Sequence, residues 1–150
     1  MNGQLLLTWL VRYGHVATGA MWVGGYLILA FVIIPALAKG RNETLEQLAH
    51  LAVRILTYTG TATIFFGILL IPRTRGYARL TEGGEWGIII IICIVIAITL
   101  LGIGDAALRP ALRRIAETGD AGPARRFALL GFFLTILAIG LMTRALYASS

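Results

Sequence analysis

The side chains with the most chemistry to offer in this 150-residue sequence sit inside stretches that are otherwise apolar. Thr8, Arg12, His15, Trp22 and Tyr26 recur at spacings of three, four or seven, with Gly19 among them, so a helix would carry them on one face. Gln47, His50, Arg54, Tyr58 and Thr61 repeat the pattern in a second stretch. An imidazole nitrogen ligates metals, a guanidinium pairs with carboxylates, and indole and phenol rings make flat walls. The chemistry on offer is therefore metal ligation beside a planar, acid-bearing group. Ionisable groups in a membrane segment are costly and by default face a bundle interior. Carried on successive antiparallel helices, the two polar faces are expected to meet and enclose an aromatic-lined site. A catalytic triad, paired catalytic carboxylates and zinc-ligand spacing are all absent, and of the seven acidic residues only Asp105 approaches the interior of an apolar stretch.

Such faces need long helices, and the composition supplies them. Apolar residues make up 58% of the chain and charged ones 13%, where soluble domains carry about a quarter charged residues. The mean hydropathy is +0.84. Four stretches of about 20 apolar residues or more can each cross a hydrocarbon core of about 30 Å, and backbone groups in lipid must bond within their own segment, which makes the stretches helices. The expected architecture is an all-α integral membrane four-helix bundle forming a single domain. Its helices fall at about 5–38, 44–71, 86–105 and 123–147, with an amphipathic interfacial segment at about 106–117. Pro35 and the polar turn Lys39-Gly40-Arg41-Asn42 end the first helix, and a Thr44/Gln47 capping box opens the second, which should stop before Pro72. After Asp105, Leu108, Leu112 and Ile115 oppose Arg109, Arg113 and Arg114, the pattern of a segment lying at headgroups. Pro123 is placed to open the last helix. Cys93, the only cysteine, sits among isoleucines and reads as a small apolar filler. The first stretch carries Arg12 and His15 and lacks a basic n-region, so it is expected to stay in the mature chain.

The net charge of +6 comes from 13 Lys and Arg against 7 Asp and Glu, and nearly all of the basic side chains are arginines near segment ends. Placed there they set topology and meet anionic headgroups, so the expected partner is the lipid bilayer and nucleic acid is excluded. Lys39, Arg41, Arg109, Arg113, Arg114, Arg125 and Arg126 share one side, with Arg73, Arg75, Arg79 and Arg144 opposite. This bias of seven to four puts the first side in the cytoplasm and both termini outside a cell (inner) membrane.

Within the first polar face, the string His15-Val16-Ala17-Thr18-Gly19-Ala20-Met21-Trp22-Val23-Gly24-Gly25 sets a histidine seven residues before a Trp-x-x-Gly. It resembles the first helix of the HemJ/CopD-like membrane families. HemJ-like members are four-span or similar bundles that bind haem b and oxidise protoporphyrinogen, and CopD-like members are linked to copper handling. The resemblance implies that His15 is an axial haem ligand and that Trp22 and Gly25 belong to the pocket wall. HemJ-type oxidases also rely on a lysine in or near a later span, whereas the only lysine here is Lys39, in the first loop. What carries over is haem binding rather than protoporphyrinogen oxidation. The residues agree with haem b by their own chemistry. Imidazole ligates the iron, the macrocycle wants flat apolar walls and its propionates want arginine; His15, Trp22, Tyr26 and Arg12 supply these, and Gly19 would let a flat ring approach the backbone. A Cu(I) pathway would want Cys and Met clusters, which three methionines and one cysteine do not make.

His15 and His50 differ in depth by about 25 Å at 1.5 Å per residue, so one iron cannot take both. Met142, in the last stretch, returns to about the depth of His15 and is a candidate partner ligand. For His50 two readings stand. It is the metal ligand of a second haem, with Arg54 on a propionate and Tyr58 alongside, or it neighbours an Arg54–Asp105 ion pair. The expected function is electron transfer or membrane redox chemistry, with a redox partner or a larger membrane complex. The alternatives are a cofactor-free small subunit or scaffold using its Gly-rich helices at protein interfaces, homo-oligomeric ones included, and a transporter of copper or another small solute.

Overall fold

The computed structural model describes residues 2–40 and 42–148; Met1, Ser149, Ser150 and Arg41, the last counted above in the charge bias, lie outside the described residues. The described residues form α1 (Gly3–Leu37), α2 (Glu43–Thr74), the single turn α3 (Ala78–Thr81), α4 (Glu85–Thr118) and α5 (Gly122–Ala145). The four longer helices are each long and apolar enough to cross a membrane. The chain is an all-α, multi-pass membrane bundle. α1 packs on α2 and α5, and α4 packs on the same two, closing an up-down-up-down ring. With 35, 32 and 34 residues, α1, α2 and α4 are each about 50 Å long against a hydrocarbon core of about 30 Å, so they tilt or project beyond it.

Several helix ends differ from the sequence pattern for local reasons. The N-cap of α2 is Asn42, whose side chain accepts from the Leu45 amide at 3.1 Å, so the helix starts one residue before the Thr44 of the expected capping box. Nor does α2 stop before Pro72; it runs on to Thr74. A helical proline leaves the carbonyl four residues back without its amide partner. That carbonyl belongs to Ile68, and the Tyr77 hydroxyl donates to it at 3.3 Å. In α1 and α4 the prolines are accommodated differently. Each helix carries a π turn, Leu29–Ile33 and Ile103–Leu108, that ends two residues before Pro35 or Pro110. The carbonyls those rings would press on, of Phe31 and Ala106, lie inside the widened turns.

The amphipathic segment continues α4 in one helix to Thr118. Its Leu108, Ala111, Leu112 and Ile115 are buried in one cluster with Val53, Ala124 and Ala128, while Arg109, Arg113 and Arg114 stay exposed. Its amphipathicity faces the other helices. Tyr26 sits at the middle of that cluster with none of its surface exposed. Its hydroxyl donates to the Leu100 carbonyl of α4 at 2.6 Å, and its ring occupies the space that a side chain at Gly131 of α5 would need. A second cluster, near the other end of α4, joins Ile71, Trp86, Ile89, Ala145 and Ala148 with Cys93, which is buried.

Candidate functional site

The α1–α2 interface is built from glycine notches and the side chains that fill them. Phe66 lies over Gly14, His15 over Gly67, Trp22 over Gly60 and Leu56 over Gly25, in register along two antiparallel helices. Between membrane helices there is little hydrophobic gain from burying apolar surface, so small residues that allow close approach decide which faces meet. Threonines add polar links: the Thr63 and Thr18 hydroxyls lie 3.0 Å apart, and Thr18 Oγ1 donates to the Gly14 carbonyl at 2.7 Å.

His15 is half-buried in this interface, its ring edge against Gly67. Its Nδ1 lies 2.9 Å from the Thr63 carbonyl oxygen. A carbonyl can only accept, so Nδ1 carries the proton and the neutral ring has its lone pair on Nε2. Nε2 has no hydrogen-bond partner among the described residues. Imidazoles that ligate metals commonly have one ring nitrogen fixed by a backbone carbonyl and the other free.

The other residues of the expected pocket are otherwise engaged. Trp22 is buried against Gly60, Tyr26 is consumed by Gly131 and the Leu100 carbonyl, and Leu56 fills the space beside Gly25. Gly19 leaves no slot, since a Cβ there would already be in ordinary contact with the Thr63 methyl at 3.7 Å. A macrocycle between α1 and the rest of the bundle therefore does not fit, while His15 keeps Nε2 unengaged. Arg12, one turn away on α1, is exposed. Met142 is half-buried against the cluster around Trp86 and Cys93. No family model matches the sequence, and no curated protein or solved structure matches it.

The two polar faces do not meet. Gln47, His50, Arg54, Tyr58 and Thr61 are all exposed, Tyr58 to 69%, and α2 turns Val53, Leu56, Thr59 and Gly60 inward instead. The Arg54–Asp105 ion pair is not formed: Asp105 Oδ1 pairs with Arg109 Nη2 at 2.7 Å, one turn along its own helix. Arg54 has no ion-pair or hydrogen-bond partner among the described residues. No group of three or more His, Cys, Asp or Glu side chains that could hold a metal ion occurs among the described residues. Residues that the sequence reading passed over are Thr18, Thr63, Gly60 and Gly67. Their signal was available as Thr18 three residues after His15 and two glycines seven apart on α2.

Proposed function

We propose that this protein is a membrane redox protein that holds haem b through His15 Nε2, on the flank of the α1–α2 pair rather than in the middle of the bundle. The observation that carries this reading is the bond from His15 Nδ1 to the Thr63 carbonyl, which fixes the tautomer and leaves Nε2 as the only free ligand atom of the ring. Haem, when bound, supplies one-electron transfer between its ferric and ferrous forms. The chain's own contribution is to hold the imidazole. Thr63 orients it, Gly67 makes room for its ring edge on α2, and the Thr18–Thr63 link ties the two helices together. Arg12 is the arginine on the same helix, one turn away and free of other partners among the described residues, that can meet a propionate. Trp22 and Tyr26 serve the packing that keeps α1 in place.

The test is optical. Protein purified in detergent from haem-replete cells should have a Soret band, and His15→Ala should abolish it while His50→Ala should leave it unchanged. A colourless wild-type preparation, or an unchanged band in His15→Ala, refutes the reading. A second reading, a small subunit of a larger complex, is favoured by the outward stripe from Gln47 to Thr61, which puts Arg54 and His50 where a neighbouring chain would meet them. A colourless protein that co-purifies stoichiometrically with another membrane chain, and loses it on Arg54→Leu, would support that alternative.

A further inference from the structure

The spanning helices do not treat their outward faces alike. On α4, between Ile88 and Gly102, the exposed large side chains are Ile88, Ile91, Ile92, Val95 and Ile98, all aliphatic, as contact with lipid tails requires. On α2 the exposed residues Gln47, Leu51, Arg54, Tyr58, Thr61 and Phe65 run along one line, spaced alternately four and three. That 3.5-residue repeat is the seam of left-handed helix pairs, in which each residue on the line is a knob for the facing helix. The bundle uses other faces of α2: α1 meets it through Leu56, Gly60, Thr63 and Gly67, and Leu101 of α4 meets it at Gly60.

Two groups on this line need something that lipid tails cannot give. α2 spans Glu43–Thr74; centred on a hydrocarbon core of about 30 Å, it holds Arg54 about 7 Å below the edge and Tyr58 a turn deeper. Neither the Arg54 guanidinium nor the Tyr58 hydroxyl has a partner among the described residues, whereas the Thr61 hydroxyl donates to the Thr57 carbonyl at 2.8 Å. Asp105, the carboxylate at comparable depth on the neighbouring helix, is held by Arg109 at 2.7 Å. A charge in a membrane segment is costly unless it is paired, and the charge left over here is positive. The occupant of the line must therefore bring a negative group. A second copy does not: laid on this face about a two-fold axis along the membrane normal, it would set Arg54 against Arg54. A headgroup phosphate can serve an arginine near the edge, but it leaves the phenol a turn deeper on the same line without a partner.

We infer that the outward face of α2 docks a transmembrane helix of another protein, one that carries an Asp or Glu at the depth of Arg54 and packs its own seam against Leu51, Tyr58 and Phe65. This needs nothing from the haem; it rests on the reading of the stripe as the meeting point with a neighbouring chain, and states what that chain must carry. The test uses the full chain in phosphatidylcholine nanodiscs with a tryptophan-free leucine–alanine transmembrane peptide bearing a dansyl group. Association is read by energy transfer from the three tryptophans of the chain. The peptide carries Glu about five residues inside one end of its apolar stretch, or Leu at the same place. The Glu peptide should bind about tenfold or more tighter than the Leu peptide, as expected for a charged hydrogen bond. Arg54→Gln should remove that preference, and Arg54→Glu should transfer it to a peptide with Lys at the same place, a reversal that loss of folding cannot produce. Tyr58→Ala should weaken both peptides. Arg113→Gln, exposed on α4, should behave as wild type. Equal binding of the Glu and Leu peptides, still weakened by Tyr58→Ala, overturns the carboxylate and leaves the neighbouring-chain reading standing; binding of neither peptide removes both. Loss of the Glu preference when phosphatidylglycerol is added assigns Arg54 to a lipid phosphate, and Arg54-dependent association of the chain with itself assigns the face to a second copy; either result overturns the proposal.

Discussion

The packing of Tyr26 against Gly131 makes a prediction whose sign depends on background. Replacing a helical glycine with alanine is worth about 1 kcal/mol of helix propensity. At Gly131 the new methyl would overlap the Tyr26 ring, and that ring has nowhere to retreat: its hydroxyl is held by the Leu100 carbonyl at 2.6 Å and none of its surface is exposed. Forcing a methyl into a filled core costs about 1–3 kcal/mol, which after the gain in propensity leaves Gly131→Ala destabilising by up to about 2 kcal/mol. Tyr26→Ala alone should cost more, about 3–5 kcal/mol, as large aromatic deletions do. In the Tyr26→Ala background the obstacle is gone, and Gly131→Ala should become neutral or stabilise by up to about 1 kcal/mol. Reversible unfolding of the four proteins in mixed micelles, titrated with a denaturing detergent, measures the cycle. If Gly131→Ala has the same effect in both backgrounds, or stabilises the wild type, then Tyr26 is not seated on Gly131.

Gly67→Ala should crowd the His15 ring, since the added carbon would sit 3.1 Å from Cε1; a weakened or shifted Soret band with the helices intact by circular dichroism is the expected outcome, and an unchanged band would count against the flank site. Asp105→Asn should cost no more than about 0.5 kcal/mol, the usual worth of an exposed i,i+4 pair, because its partner is the exposed Arg109. Combined with Arg54→Gln the effects should add, and a coupling above about 0.5 kcal/mol would restore the ion pair to Arg54. For topology, a cysteine at position 149 in a Cys93→Ala chain should be labelled by an impermeant thiol reagent in intact cells, as the seven-to-four basic bias demands; labelling only after lysis would invert the orientation.

The membrane helices were legible because a run of about 20 apolar residues admits little else in lipid. Which face each helix turns inward was less so, and α2 shows why. It carries two candidate faces, the polar Gln47-His50-Arg54-Tyr58-Thr61 and the small-residue face with Gly60, Thr63 and Gly67. Polarity favours the first by the usual cost of charge in lipid, but the bundle uses the second, since notches that admit Trp22, His15 and the neighbouring backbone set how close the helices come. The partner of each aromatic was equally hidden. Trp22 and Tyr26 look like walls of a site until Gly60 and Gly131, distant in the chain, are seen beneath them. On α1, His15 keeps a free ligand atom where Trp22 and Tyr26 are used in packing, and it does so through a backbone carbonyl that no residue pattern announces.

The same contacts explain why the His15 end of the bundle is suited to holding a group in fixed geometry. The π turns of α1 and α4 begin three residues after Tyr26 and Leu100, the two residues joined by the buried hydroxyl bond, and because α1 and α4 run parallel both irregular turns lie toward the same end. His15 lies on the other side of that bond, about 16 Å up the helix from Tyr26 at 1.5 Å per residue, within uninterrupted α-helix. The distortions of Pro35 and Pro110 are thus absorbed below the Tyr26 crossbar, while above it α1 and α2 stay α-helical and set Gly14, His15, Thr18 and Trp22 against Phe66, Gly67, Thr63 and Gly60 in turn. A ligand positioned on regular helices and locked by a second residue's carbonyl holds its angle better than one on a loop or a π turn. If Tyr26→Phe frees the crossbar, the distortion should spread upward, and the first measurable consequence would be looser order at His15 before any loss of helix.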